Sequence, residues 1–160
     1  MPVSPIDASD TVVEAIVLCG LQASGKSTLV RSRWYATHLR LNLDMLRTRA
    51  REDVVLHACL AAKVPVVIDN TNPTRAQRQR YLQLVRAAGY ERAALCYVMC
   101  SVDEALRRNA QRPESERVPE LAIRGTAAKL QVPTLDEGWD ALSVLCADGC
   151  GGFAEMEPLR

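Results

Sequence analysis

Apolar residues in this chain gather into short runs, and the stretches between the runs repeat with helical spacing. Val12 to Cys19 is a short apolar run that ends at a Gly-rich loop, which predicts a buried strand. Ser27 to Tyr35 continues as a helix. "HLRLNLD" alternates apolar and polar positions and predicts a second, short strand ending at Asp44. From Asp44 to Lys63 the pattern is helical, with an interruption near Arg51. "VPVVID" is β-branched and apolar, as suits a central parallel strand. Asn72 as cap, Pro73 at the first helical position and Gly89 just past the end bracket a helix from Thr74 to Ala88. "RAALCYVMC" predicts another buried strand. Ser101 and Glu104 carry a capping-box spacing ahead of a helix through Ala110. After the polar loop "RPESER", Glu120 to Leu130 reads as helix and "ALSVLCA" as a last strand. Strands alternating with helices predict a parallel sheet covered on both faces.

The pattern divides the chain into a loose polar arm over residues 1–11, one domain over 12–147, and an irregular Gly-rich tail over 148–160. Its 160 residues suit one core. The net charge of +1 does not mark a general nucleic-acid binder, although a local basic groove is compatible with that total. Arginine outnumbers lysine, 17 to 3, a bias that phosphate recognition and GC-rich coding explain equally well. The six cysteines form no CxxC pair and mostly lie in apolar runs, so neither a disulfide framework nor a metal cluster is expected. No signal segment opens the chain and no apolar run is long enough to span a membrane. These features predict a reduced, cytoplasmic protein without membrane contact.

The loop after the first strand reads "GLQASGKST". Gly20 and Gly25-Lys26-Ser27 fit the spacing G-x-x-x-x-G-K-[ST]. Glycines let the backbone curl so that its N–H groups, through Ala23, Ser24 and Thr28, point at phosphate oxygens, and the following helix adds its positive end. Lys26 would reach the outer phosphates and the Ser27 hydroxyl would ligate Mg²⁺. ATP or GTP with magnesium is therefore the expected ligand.

Residues downstream suggest where a phosphoryl group would go. Asp44 is placed to accept a proton from an attacking hydroxyl, or merely to cap the next helix. Arg47, three residues on, could hold an acceptor phosphate. Asp69 ends "VPVVID", where an acid is costly without a metal or hydrogen bonds, and reads as a metal ligand. Asn70, Thr71 and Asn72 beside it fit either substrate contact or turn formation. Arg107, Arg108 and Arg112 in "RRNAQR" fit a lid over the phosphates or a charge at a helix end. The clusters around Arg49, Arg51, Arg75, Arg78 and Arg80 read as solvated faces. His38 and His57 carry no evident role, and Trp34 and Tyr35 read as core packing.

In this order, "GLQASGKST", "LDMLR", "VVIDNTNPTRAQRQRYLQLVRAAGY", "RRNAQR" and "PTLDEGW" resemble the kinase domain of polynucleotide 5′-hydroxyl kinases of the end-healing type, over residues 13 to 146. The resemblance implies an α/β fold, the kinase-type P-loop NTPase three-layer sandwich with a central parallel sheet. It implies ATP- and Mg²⁺-dependent transfer of the γ-phosphate to the 5′-hydroxyl end of a DNA or RNA strand, as in nucleic-acid repair. Asp44 would be the general base, Arg47 would contact the scissile or acceptor-side phosphate, Asp69 would sit beside the metal, and Arg112 would be the lid arginine. No phosphatase or ligase domain is expected within these 160 residues, and aromatic residues make up only 4% of them. A kinase of a small hydroxylated metabolite and a non-catalytic nucleotide-binding module are the alternatives.

Overall fold

The computed structural model describes residues 12–158, so the arm expected over residues 1–11 lies outside the described residues. Six strands form one sheet: β1 (Glu14–Cys19), β2 (Leu39–Leu41), β3 (Val66–Ile68), β4 (Arg92–Val98), β5 (Ala141–Ala147) and β6 (Phe153–Met156). Their spatial order is β2-β3-β1-β4-β5-β6. The first five run parallel, and β6 closes the far edge antiparallel to β5.

Past Glu14 and Arg92, which open β1 and β4, the central strands are apolar because both faces are covered. Ala15, Val17 and Cys19 of β1 face one layer, where Leu56, Leu60, Tyr81 and Val85 pack. These come from helices α3 (Arg49–Ala62) and α4 (Arg75–Ala87). Ile16 and Leu18 point the other way, onto Leu29 and Val30 of α1 (Lys26–Arg33). Successive side chains of a strand point to opposite faces, so an uninterrupted apolar run serves both layers at once. Each fully buried Leu or Val contributes about 1.5–3 kcal/mol relative to exposure. A smaller cluster of Leu21, Ala105 and Ile123 joins the phosphate-type loop to α5 (Val102–Ala110) and α6 (Glu120–Lys129).

Several boundaries differ from the sequence expectation. The strand expected to run to Asp44 stops at Leu41, because the Asn42 side chain accepts from Met45 N and caps a one-turn helix, α2 (Leu43–Leu46). Asp44 therefore sits in the first turn of a helix rather than at a strand end. The helical stretch breaks at Arg47, whose φ is 72°, and not near Arg51; Thr48 then caps α3. Thr74, not Asn72, caps α4, through a reciprocal capping box with Gln77. The tail expected to be irregular contains β6, which pairs Phe153 to Met156 with Ala147 to Val144. Its register is supplied by β5 rather than by its own apolar pattern. α1 ends at Arg33, so Trp34 packs on the core while Tyr35 turns out to solvent, 81% exposed.

The order of strands positions a site. From β1 the chain passes to β2 and β3 on one side, then α4 returns it to β4 on the other. Loops leaving the C-terminal ends of β1, β2 and β3 diverge around one crevice, the place where open α/β sheets bind ligands.

Candidate phosphate-binding and acceptor site

The loop between β1 and α1 curls tightly. Ala23 (φ 61°) and Gly25 (φ 108°) take left-handed backbone conformations. At Gly20 a Cβ would meet the Val98 carbonyl oxygen at 2.6 Å, so only glycine fits. Gly20 N donates to Thr71 O at 3.0 Å, which ties the loop to the end of β3. Lys26 is folded back into this loop: its Nζ donates to Gly20 O at 2.9 Å and Leu21 O at 2.6 Å.

Burial pulls the Lys26 ammonium down from an ordinary pKa of 10.5 to about 8, with the nearby Asp69 carboxylate opposing the shift. Between about pH 8 and pH 10.5 the unfolded chain holds more protons at this lysine than the folded one does. Stability contributed by this group therefore rises with pH across that window. Buried thiols work the other way at the alkaline end, since Cys19 is pushed up to about 11 by burial. Comparison with Lys26→Met isolates the lysine. In thermal melts of nucleotide-free protein from about pH 7.5 to 9.5, any stability advantage of Lys26→Met should shrink as pH rises. A gap independent of pH would show that Lys26 stays charged throughout.

Ser27 Oγ donates at 3.3 Å to Oδ2 of Asp69, the residue just past the end of β3. Asp69 is buried, 2% exposed. A hydroxyl and one carboxylate facing each other at a phosphate-type loop fit magnesium, which takes few protein oxygens and completes its shell with phosphate and water. A third group was missed from sequence: the guanidinium of Arg40, on β2, reaches both oxygens. No cluster of three or more His, Cys, Asp or Glu suited to a metal exists among the described residues.

Asp44 is held at the same cleft by polar contacts to the tip of β3. Asn42 Nδ2 donates to Asp69 O at 2.7 Å, and Leu43 N donates to Asn70 Oδ1 at 2.9 Å. Asn70 in turn donates to Glu52, a fully buried acid that also accepts from Tyr81 and Arg49. α2 is thus fastened through Asn70 to α3 and α4. Asp44 itself is exposed at the cleft wall, and its charge is felt at Lys26, as is that of Arg112.

The cleft has a volume of about 460 Å³. It brings together Lys26, Ser27, Thr28, Asp44, Asp69, Asn70, Thr71, Arg108 and Arg112. Arg108 donates to Ser24 O at 3.2 Å and pairs with Glu104. Arg112 has no ion-pair partner among the described residues. Four expected site residues fall outside the cleft lining, and two of them, Gly20 and Ser24, are buried within the loop itself. Arg47 ends α2 in a left-handed turn and is exposed beyond it. Asn72 is buried beneath, donating to Leu18 O at 2.8 Å. Arg78, expected on a solvated face, is fully buried and paired with Glu137. A second hollow of about 280 Å³ adjoins the loop, between Gly25, Thr28, Arg108, Gln111 and Phe153 of β6.

The fold and the loop define a P-loop protein of the kinase type, with a central parallel sheet. Residues 16–133 match the AAA domain family, and the chain belongs to it. It is similar to the bifunctional polynucleotide phosphatase/kinase of Schizosaccharomyces pombe, 32% identical over 131 residues, 79% of this chain and 32% of that protein. The chain thus spans about a third of the length of that curated relative. Among solved structures, a fungal RNA kinase superposes with a TM-score of 0.64 at 16% identity, covering 82% of this chain and 38% of that one. A gluconokinase from Sinorhizobium meliloti 1021 superposes at 0.57 and 17% identity, covering 83% of each chain. At these identities the two superpositions describe the fold alone.

Proposed function

We propose that this protein is an ATP-dependent kinase that phosphorylates the 5′-hydroxyl end of a polynucleotide. The observation that carries the reading is a single cleft shared by Lys26, Ser27, Asp69 and Asp44, with Arg112 on its rim. The similarity to a polynucleotide phosphatase/kinase over 131 residues supports the acceptor class.

In this reading, backbone amides of the loop and Lys26 bind the β- and γ-phosphates. Lys26 exchanges its two carbonyl partners for phosphate oxygens. The hollow beside Phe153 takes the nucleoside. Ser27 and Asp69 would hold magnesium, which supplies charge neutralisation and orientation of the phosphates. The Asp44 carboxylate accepts the proton of the acceptor hydroxyl. The hydroxyl oxygen forms a bond to the γ-phosphorus while the bond from that phosphorus to the β–γ bridging oxygen breaks, releasing ADP. Arg108 and Arg112 place positive charge over the moving phosphoryl group. Arg47, outside the cleft, is suited to a phosphate further along the acceptor strand. Such an enzyme would restore 5′-phosphate ends in nucleic-acid repair.

The test is incubation with γ-labelled ATP and magnesium in the presence of 5′-hydroxyl oligodeoxynucleotides, oligoribonucleotides or a pool of small hydroxylated metabolites. Label on an oligonucleotide end is the expected result. Label confined to small molecules would replace the acceptor class. A cleft of about 460 Å³ is also within the range of small-ligand sites, which is why the metabolite arm is included.

A further inference from the structure

The guanidinium of Arg40 occupies the place where a cation is expected. Arg40 Nε donates to Asp69 Oδ2 at 2.8 Å, and Nη2 stands 2.6 Å from the same oxygen. Nη2 also donates to Ser27 Oγ at 3.0 Å. The pair is asymmetric: the Asp69 side chain is 2% exposed and the Arg40 side chain 30%. Arg40 lies opposite Val67 in the β2–β3 register, on the sheet face that packs against α1, and so shares that face with Ser27.

We propose that Arg40 is a resident counter-ion that competes with the divalent metal for Asp69 and Ser27, so that metal is held firmly only when it enters together with the nucleotide. The inference rests on the reading that these two side chains hold magnesium. A buried carboxylate without a counter-charge is costly, and Arg40 supplies that charge in the nucleotide-free protein. A metal held by Asp69 and Ser27 would need the same oxygens to which the guanidinium now donates, and the two cations would repel. Metal alone must therefore break two hydrogen bonds and an ion pair to enter. A triphosphate changes the balance, because its oxygens ligate the metal and its negative charge offsets the lost pair. The exposed side of Arg40 leaves the guanidinium a path outward.

Manganese ion, whose free signal is lost on binding, serves as the probe in paramagnetic-resonance titrations of nucleotide-free protein. Arg40→Gln should bind it about tenfold or more tightly than wild type. Arg40→Lys, which keeps the charge, should stay near wild type, and adding Asp69→Asn to Arg40→Gln should abolish the gain. Equal affinity in wild type and Arg40→Gln, with binding still lost on Asp69→Asn, would overturn the role of Arg40 and leave the metal site standing. Metal binding independent of Asp69 in every protein, with or without β,γ-methylene-ATP, would overturn both. A wild-type measurement covers the case in which Arg40→Gln does not fold. The Arg40 Nε–H resonance should be unaffected by magnesium alone and shift when magnesium and β,γ-methylene-ATP saturate the protein. A resonance unchanged at saturation rejects the proposal.

Discussion

Asp44→Asn should lower the rate of phosphoryl transfer by about 10² to 10⁴, the usual contribution of a positioned general base. Affinity for ATP should stay within about twofold of wild type, since Asp44 stands on α2 and not in the loop between β1 and α1. The substitution keeps the size of the side chain, and α2 remains capped by Asn42 and tied to Asn70. Its effect on stability should therefore be small, within the ~0.3–1 kcal/mol of an acid in a first helical turn. Single-turnover transfer from labelled ATP, read beside nucleotide binding by calorimetry, separates the two effects. A transfer rate within about fivefold of wild type would remove Asp44 from the base role, because general-base loss costs at least tens-fold.

The second large effect is on stability. Arg78 is 0% exposed, and its side chain is paired with Glu137 from the turn before β5. Nε donates to Glu137 Oε2 at 2.9 Å, and Nη1 donates to the carbonyls of Asn72 and Pro73, both at 3.2 Å. Trp139 Nε1 donates to the same carboxylate at 3.3 Å. Replacing one member leaves the other charge buried and alone, at a cost of about 3–5 kcal/mol. In a protein of this size that lowers Tm by roughly 6 to 20 °C. Arg78→Met should show the full loss, whereas Arg78→Met combined with Glu137→Leu should recover most of it. A double variant as unstable as the single one would shift the importance from charge compensation to the two carbonyl contacts.

The parallel strands were readable because a strand buried on both faces has no polar interruption. That rule located β1, β3 and β4 from their apolar runs, and β5 despite Ser143 within it. The alternation used for the second strand overran at Asp44: Leu41 and Leu43 continue it, but the side chain of Asn42 ends the strand by capping. At α4 the cap is Thr74, whose backbone is extended, whereas Asn72 stands at φ 41° with its amide donating to Leu18 O. β6 went unread since only Phe153 of its four residues is half-buried and pairing with β5 supplies its order. The phosphate loop, being contiguous, was wholly legible. Arg40 was not, because its partners Ser27 and Asp69 stand 13 and 29 residues away, and local spacing cannot register such a meeting. Arg78 was hidden in the same manner: a guanidinium reads as surface until its anion, 59 residues distant, is known.

That long reach bears on where a working fragment can be cut. The stretch matching the AAA domain family ends at residue 133, ahead of both Glu137 and β5. A piece trimmed to that limit would keep the whole phosphate loop and Asp44. It would also strand a guanidinium in the interior and bare the β4 edge that β5 now covers. The minimal folding unit is thus longer than the segment that matches the family and lines the cleft, and its final stretch acts as a clasp.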